Sequence, residues 1–432
     1  MTAEPPASAR RRVDLPAWPL LTVLGGMPLW WVLGLTPFLP VAYLLVVGGM
    51  IATARHPGAL RLPAGAGPLL GFVAWALPCA VMLDSGLRLV GFAVRWTSLA
   101  AAAVVVAHVA NSRGLTTRRV LLALAGLWAL VLVGGYLGVL WPDGGFRTPM
   151  AAVMPAPILS NELVHDLLVP HFAEVQTPWG AAAPFNRPSA PFAYTNGWGW
   201  AVAFLTPLML ALRTRLRSRW ARTAILLGIA ASLVPAAATR NRGMLIMTGV
   251  WVVVALIGLA VRGRVAAAAF VTGGVLAVGV LFVRLDVLGL IAERAQASDS
   301  TAGRAEVYLA TLRATLESPL LGYGAPRGSE EIGVALGTQG AIWMYLFSYG
   351  FIGAALFLTF LVGVALRGAR LGDQRGGGGD TALLWVHAAV CAAVVGIAFY
   401  GLDSIQLFAL AAACALVLRA GDPRTTSDAA PR

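Results

Sequence analysis

Residues 341–366 read AIWMYLFSYGFIGAALFLTFLVGVAL, an uncharged apolar stretch. A helix needs about 20 predominantly apolar residues to cross a bilayer, so this stretch is long enough to span one. The same reading applies along most of the chain. Apolar runs recur at 17–34, 38–54, 68–83, 87–110, 119–141, 192–212, 223–238, 243–261, 265–283, 381–399 and 404–418. Composition agrees: 58% of the 432 residues are hydrophobic and 12% are charged, against about a quarter charged in ordinary soluble domains. A soluble chain this apolar could not cover its own surface. The expected fold is all-α and polytopic, with about 12 transmembrane helices and two long extracytoplasmic loops, at about 142–191 and 284–340. A cytoplasmic tail is expected at 1–16, a single transmembrane domain over 17–418, and a second cytoplasmic tail at 419–432. The basic run before the first apolar stretch has no small-residue cleavage site leading into soluble sequence, so 17–34 reads as an uncleaved first helix.

The net charge is +13, and all 32 basic residues are arginine. The arginines are not gathered on a soluble module, which argues against nucleic acid as a partner. They lie between apolar runs, where they set orientation. With the N-terminus inside and the runs alternating, 21 arginines fall in inside segments and nine outside; Arg88 and Arg95 fall within a run. Every inside connection carries arginine, whereas the short outside turns at 35–37 and 400–403 carry none. Both termini are therefore expected inside. Cys79, Cys391 and Cys414 all fall within apolar runs, with neither a disulfide framework nor metal-ligand spacing.

Charges that oppose these rules are the candidate functional residues. Arg88 and Arg95 are seven residues apart, on one helical face, and Asp84 lies one turn before Arg88. Arg88 can snorkel to the interface and pair with Asp84; Arg95, two turns deeper, is expected to face the bundle interior or a polar cavity. Arg240 and Arg242 occupy a short outside turn, Thr239–Arg240–Asn241–Arg242–Gly243. Two guanidinium forks beside a helix start suit a phosphate, with headgroup contact as the alternative. In the second long loop, Gly303–Arg304 begins a helical stretch that Pro319 stops. Leu309, Leu312 and Leu316 make one apolar face, as in a helix lying on the membrane. Arg304 at its start opposes the helix dipole. The first long loop ends in Arg187, Phe192 and Asn196, followed by Trp198 and Trp200; capping and an interfacial aromatic belt account for all of these except Arg187.

These residues together resemble the O-antigen ligase and O-antigen polymerase superfamily of bacterial membrane glycosyltransferases. Arg187 with Phe192 and Asn196 resembles the end of the family's first large outer loop. Thr239–Gly243 resembles its Ser-Arg-Gly turn, with Arg242 as the arginine. Gly303–Arg304 and Pro319–Leu320–Leu321–Gly322–Tyr323–Gly324 resemble its Gly-Arg helix and the exit from it. Thr338–Gln339–Gly340 with Tyr349–Gly353 resembles its His-Asn helix start and the Gly-x-x-Gly that follows. The resemblance covers about residues 185–355. It implies a multi-pass protein of the bacterial inner membrane that uses no cofactor, metal or nucleotide sugar. The implied donor is a polyprenyl-pyrophosphate-linked glycan and the implied acceptor a hydroxyl on a glycan or glycolipid, among membrane lipids. Arg242 and Arg304 would hold the leaving pyrophosphate, with Arg240, Arg187, Arg95 and Arg88 assisting and Asn196 at the mouth of the cavity. Gln339 stands where the family has histidine. Glutamine cannot serve as a base at neutral pH, although it can position the acceptor. A base could come from Glu306, Glu330, Glu331, His165 or His171, or the reaction could proceed without one. Two other readings compete: a twelve-helix transporter, which offers no reason for long outer loops carrying arginine, and a flippase of lipid-linked glycans.

Overall fold

The computed structural model describes residues 13–53, 60–160, 162–176, 185–284, 286, 289, 300–329, 333–373 and 380–421. The fold is that of an all-α multi-pass membrane protein. Its helices are α1 (Trp18–Gly25), α2 (Met27–Leu33), α3 (Leu39–Thr53), α4 (Gly67–Ala76), α5 (Gly86–Ala110), α6 (Thr117–Leu140), α7 (Pro149–Val153), α8 (Ala156–Leu159), α9 (Glu162–Leu168), α10 (Thr195–Arg215), α11 (Arg219–Thr239), α12 (Arg242–Val261), α13 (Val265–Arg284), α14 (Ser300–Glu317), α15 (Ala341–Asp373), α16 (Thr381–Gly396) and α17 (Ser404–Ala420). Strands β1 (Ala173–Gln176) and β2 (Phe185–Pro188) form one antiparallel hairpin; β3 (Arg327–Gly328) and β4 (Ala335–Leu336) form a second.

Every apolar run read from the sequence is helical. Among the described residues, seven helices are long and apolar enough to cross a membrane: Thr36–Thr53, Arg88–Ala110, Thr117–Leu140, Arg219–Thr239, Arg242–Val261, Val265–Arg284 and Ala341–Leu371. The 17–34 run is not one helix but two, because the chain breaks at Gly26, between α1 and α2. Helix α13 supports the membrane reading physically. It buries only Phe282 and leaves Val265, Phe270, Leu276 and Val283 exposed. Such a surface is stable against lipid and not against water.

Helix α10 is the axis of the bundle. Residues 198–209 are all buried, and α6, α11, α12 and α16 pack around it. Trp198 and Trp200 are therefore core residues, which corrects the interfacial-belt expectation. Trp198 donates its indole N–H to the Val131 carbonyl at 2.8 Å. Residues 405–418 of α17 are likewise all buried.

Helix ends separate into two groups. At one end Arg215 pairs with Asp380, Arg367 donates to the Ala64 carbonyl and Arg419 to that of Leu115. Cations there also meet the carbonyls that helix C-termini leave free: Arg222 donates to Leu216 at the end of α10 and Arg419 to Val109 in the last turn of α5. The other end carries both long connections. These are folded: the first contains α7, α8, α9 and the β1–β2 hairpin, the second α14 and the β3–β4 hairpin.

Helix α15 is kinked at Gly350 (φ 65°, ψ −172°). A kink frees backbone groups that lipid cannot satisfy. Here the Pro319–Gly324 turn satisfies them. Tyr323 and Gly324 donate their N–H groups to the carbonyls of Phe347 and Ser348 at 2.9 and 2.8 Å, and Phe351 donates to Pro319 at 2.8 Å. A Cβ on Gly350 would collide with the Leu320 carbonyl, and one on Gly322 with that of Phe347. Both glycines have positive φ. The Pro-Leu-Leu-Gly-x-Gly segment is thus a backbone brace for the kink.

Candidate functional site

Helices α16 and α17 are 16 and 17 residues long, about 24–26 Å at 1.5 Å per residue, which is short of a hydrocarbon core of about 30 Å. Helix α17 begins level with the middle of α5, because the Ser98 and Ser404 hydroxyls hydrogen-bond at 3.0 Å. Ser98 lies about 18 Å of helix rise after Gly86, the first residue of α5. The turn that joins α16 to α17, residues 397–403, therefore sits well below the loop-bearing end of α5.

Four segments far apart in sequence meet at this turn. The Tyr400 hydroxyl donates to Asn241 Oδ1 at 2.6 Å, and a Cβ on Gly243 would strike the same hydroxyl. The Ala341 N–H, which opens α15, donates to the Tyr400 carbonyl at 2.8 Å, and Ile342 donates to Ile397 at 3.1 Å. From α14, Tyr308 stacks on Trp343 with ring centroids 4.3 Å apart, and both donate to the Ala398 carbonyl. Gln406, in the first turn of α17, donates to the Gly197 carbonyl near the start of α10 at 3.4 Å.

The candidate residues take distinct places around this centre. Arg187 is 2% exposed and donates to the Thr239 carbonyl at 2.8 Å. Arg240, in left-handed conformation (φ 48°), caps α11 and lies 4.2 Å over the Phe185 ring. These contacts join β2 to the 239–243 turn. Arg242 is exposed at the first position of α12. The helix start beside it is already capped: Asn241 Oδ1 accepts the Met244 N–H. One of the N–H groups that this helix terminus would offer an anion is thus already taken. Asn196 is half-buried at the second position of α10, whose first N–H is taken by the Glu174 carboxylate at 3.0 Å. Gln339 is half-buried, two residues before α15, and its amide N–H lies 3.5 Å from the Thr338 hydroxyl. Arg304 lies on α14, one turn before Tyr308; its side chain is outside the described residues.

Arg88 is engaged by the protein itself. Its guanidinium pairs with Asp84 at 2.7 Å and donates to the carbonyls of Tyr323 and Ala325 at 3.2 and 2.6 Å. The Arg88 bond holds the Asp84 carboxyl below its ordinary range. Arg95 is the opposite case. It lies deep in the protein, half-buried, and among the described residues none hydrogen-bonds or ion-pairs with it. All five of its donors remain for a ligand.

Among the candidate bases, His165 and His171 lie beside Asp166 in the first connection, His171 at 3.1 Å. Glu306 is exposed on α14. Glu330 and Glu331 lie outside the described residues. Residues 309, 312 and 316 of α14 face away from the protein, and Val307, Thr311 and Thr315 are its buried face. The threonine hydroxyls tolerate burial because Thr315 donates to the Thr311 carbonyl at 2.7 Å. The leucines are left for lipid.

Sequence reading missed Tyr400 and Asp403. The 400–403 turn stood out only for lacking arginine. The available signal was Asp403 itself, a carboxylate between two apolar runs. No protein-family model matches the chain, and no curated protein matches it.

Proposed function

We propose that this protein transfers or polymerises an oligosaccharide, taken from a polyprenyl-pyrophosphate donor, onto an acceptor hydroxyl at the outer face of a bacterial inner membrane. In this reading the chain crosses twelve times with both termini cytoplasmic, and the end carrying the long connections is the outer face. The excess of arginine in the connections at the opposite end supports that orientation. The observation that carries the proposal is the convergence of the 239–243 turn, the starts of α10 and α15, and α14 on the 397–403 turn, with Arg95, unpartnered among the described residues, within electrostatic reach of Asp403 there.

The chemistry suits such a site. The acceptor oxygen attacks the anomeric carbon while the bond to the pyrophosphate breaks. The leaving group takes the electron pair and gains negative charge. Guanidinium groups in a water-poor recess stabilise that charge far better than water does. Arg242 and Arg304 are assigned to the pyrophosphate, Arg95 to the deeper end of the recess, and Gln339 to orienting the acceptor. The polyprenyl tail lies between helices.

Deleting the gene should cause a lipid-linked glycan to accumulate on the outer leaflet. Arg242→Ala and Arg304→Ala should fail to complement while reaching the membrane in normal amounts. Lysine at either position should restore only part of the activity, since it lacks the bidentate fork. Accumulation on the inner leaflet would instead make the protein a flippase, and full activity in both alanine variants would end the donor-site assignment.

A further inference from the structure

We infer that Asp403 is the group that takes the proton from the acceptor hydroxyl, a role that rests on the transfer reading above. Asp403 is exposed at the start of α17, and Ser404 beside it meets Ser98 of α5, one turn beyond Arg95. It lies within electrostatic reach of Arg95 from α5 and of Tyr345 from α15. Its contribution to the fold uses only part of its capacity. It caps α17 by accepting the Gln406 N–H, while its own N–H goes to Gln406 Oε1 at 2.6 Å. A carboxylate has about four acceptor sites, so one oxygen is left for another donor.

A second observation points the same way. The Tyr345 side chain is 1% exposed, and its hydroxyl has no hydrogen-bond partner among the described residues. A buried hydroxyl without a partner costs about 1–3 kcal/mol, a cost that a bound hydroxyl-rich acceptor would remove. Arg95 offers five donors and Asp403 a spare acceptor within electrostatic reach of each other. That pairing suits a reaction joining an anionic leaving group to a hydroxyl nucleophile. In the step, the acceptor O–H proton passes to an Asp403 oxygen and the acceptor oxygen bonds to the anomeric carbon. The bond from that carbon to the pyrophosphate breaks, with its electron pair leaving on the phosphate. The proton on Asp403 then returns to water.

Among the described residues, the ionisable groups in electrostatic contact with Asp403 are Arg95 on α5 and Tyr345 on α15, with Tyr349 next to both of these and Tyr400 three residues before it. Arginine and tyrosine ordinarily titrate at pH 10 or above. His108, thirteen residues beyond Arg95 on α5, lies about 20 Å of helix rise away. An acidic limb that the wild type shows and Asp403→Asn lacks is therefore assignable to Asp403.

The test uses the deletion strain carrying the wild type or one variant, with the medium set between pH 5 and 8 so that the outer compartment follows it. The rate of glycan transfer and the level of lipid-linked glycan are measured. The wild-type rate should fall toward pH 5. Asp403→Asn and Asp403→Ser keep a good helix cap. Each should melt like the wild type and lose about 100-fold or more in rate, with the residual rate flat in pH. Asp403→Glu should recover part of the rate and the acidic limb. A wild-type rate in Asp403→Asn, or an unchanged acidic limb in it, would overturn the inference and leave the transfer reading standing. Unfolding of both cap-preserving variants would also overturn it, by making the carboxylate structural. If deletion leaves lipid-linked glycan unchanged, the transfer reading fails and this inference falls with it.

Discussion

Arg88 and Arg95 share one face of α5, and the structure uses them in opposite ways. Arg88 is a tie: one guanidinium binds the start of α5 to the Pro319–Gly324 brace through two carbonyls and Asp84. Hydrogen bonds to a charged group contribute about 1.5–3 kcal/mol, so Arg88→Ala should lower the melting temperature of the purified protein clearly. Arg95 has no such partner among the described residues. Arg95→Leu should leave the melting temperature unchanged or raise it, while transfer is lost; a large fall in stability would mean that Arg95 is structural. Gln339 belongs to this scale too. If it orients the acceptor, Gln339→Ala should lower the transfer rate severalfold and Gln339→His should be tolerated, with the pH profile of the wild type kept in both. A different acidic limb in the histidine variant would show that residue 339 exchanges the proton.

Among the elements, the kink in α15 is the feature most dependent on its neighbours. Its freed carbonyls are met by a segment that arrives from the end of α14. Gly350→Ala forces an L residue into the left-handed region, at about 1–3 kcal/mol, and sets a Cβ against the Leu320 carbonyl. The variant should melt lower and lose activity together, because the brace also places α14 over the 397–403 turn. An unchanged melt would show that the kink relaxes freely. The glycines of this motif were visible in the sequence, but their reason was not. A ligand-binding turn and a backbone brace use the same residue types, since both need positive φ and close approach.

At the scale of the whole molecule, orientation is the testable property. Single cysteines placed in 142–191 and in 284–340 should react with a membrane-impermeant reagent added from outside. Cysteines in 213–222 should react only after the membrane is opened. Labelling of 213–222 from outside without labelling of 284–340 would invert the topology and move the recess to the cytoplasmic face.

What the sequence determined by itself is what depends on local length and polarity. Each of the twelve apolar runs is helical, because a helix satisfies its own backbone whatever surrounds it. The stop at Pro319 and the excess of arginine at one set of connections are equally local. The placement of the 397–403 turn is not local. The depth of the 397–403 turn follows from α16 and α17 being shorter than α5 and from Ser404 meeting Ser98, 306 residues away. Whether a charge in an apolar stretch is tied or left open depends on which carbonyls reach it. The Arg88–Asp84 pair, one turn apart, was legible in the sequence and forms at 2.7 Å; the carbonyls of Tyr323 and Ala325 that complete the tie come only from packing. Asp403 went unread for the same reason: a lone acid between two helices gains a purpose only when packing sets it within electrostatic reach of Arg95 on a distant helix.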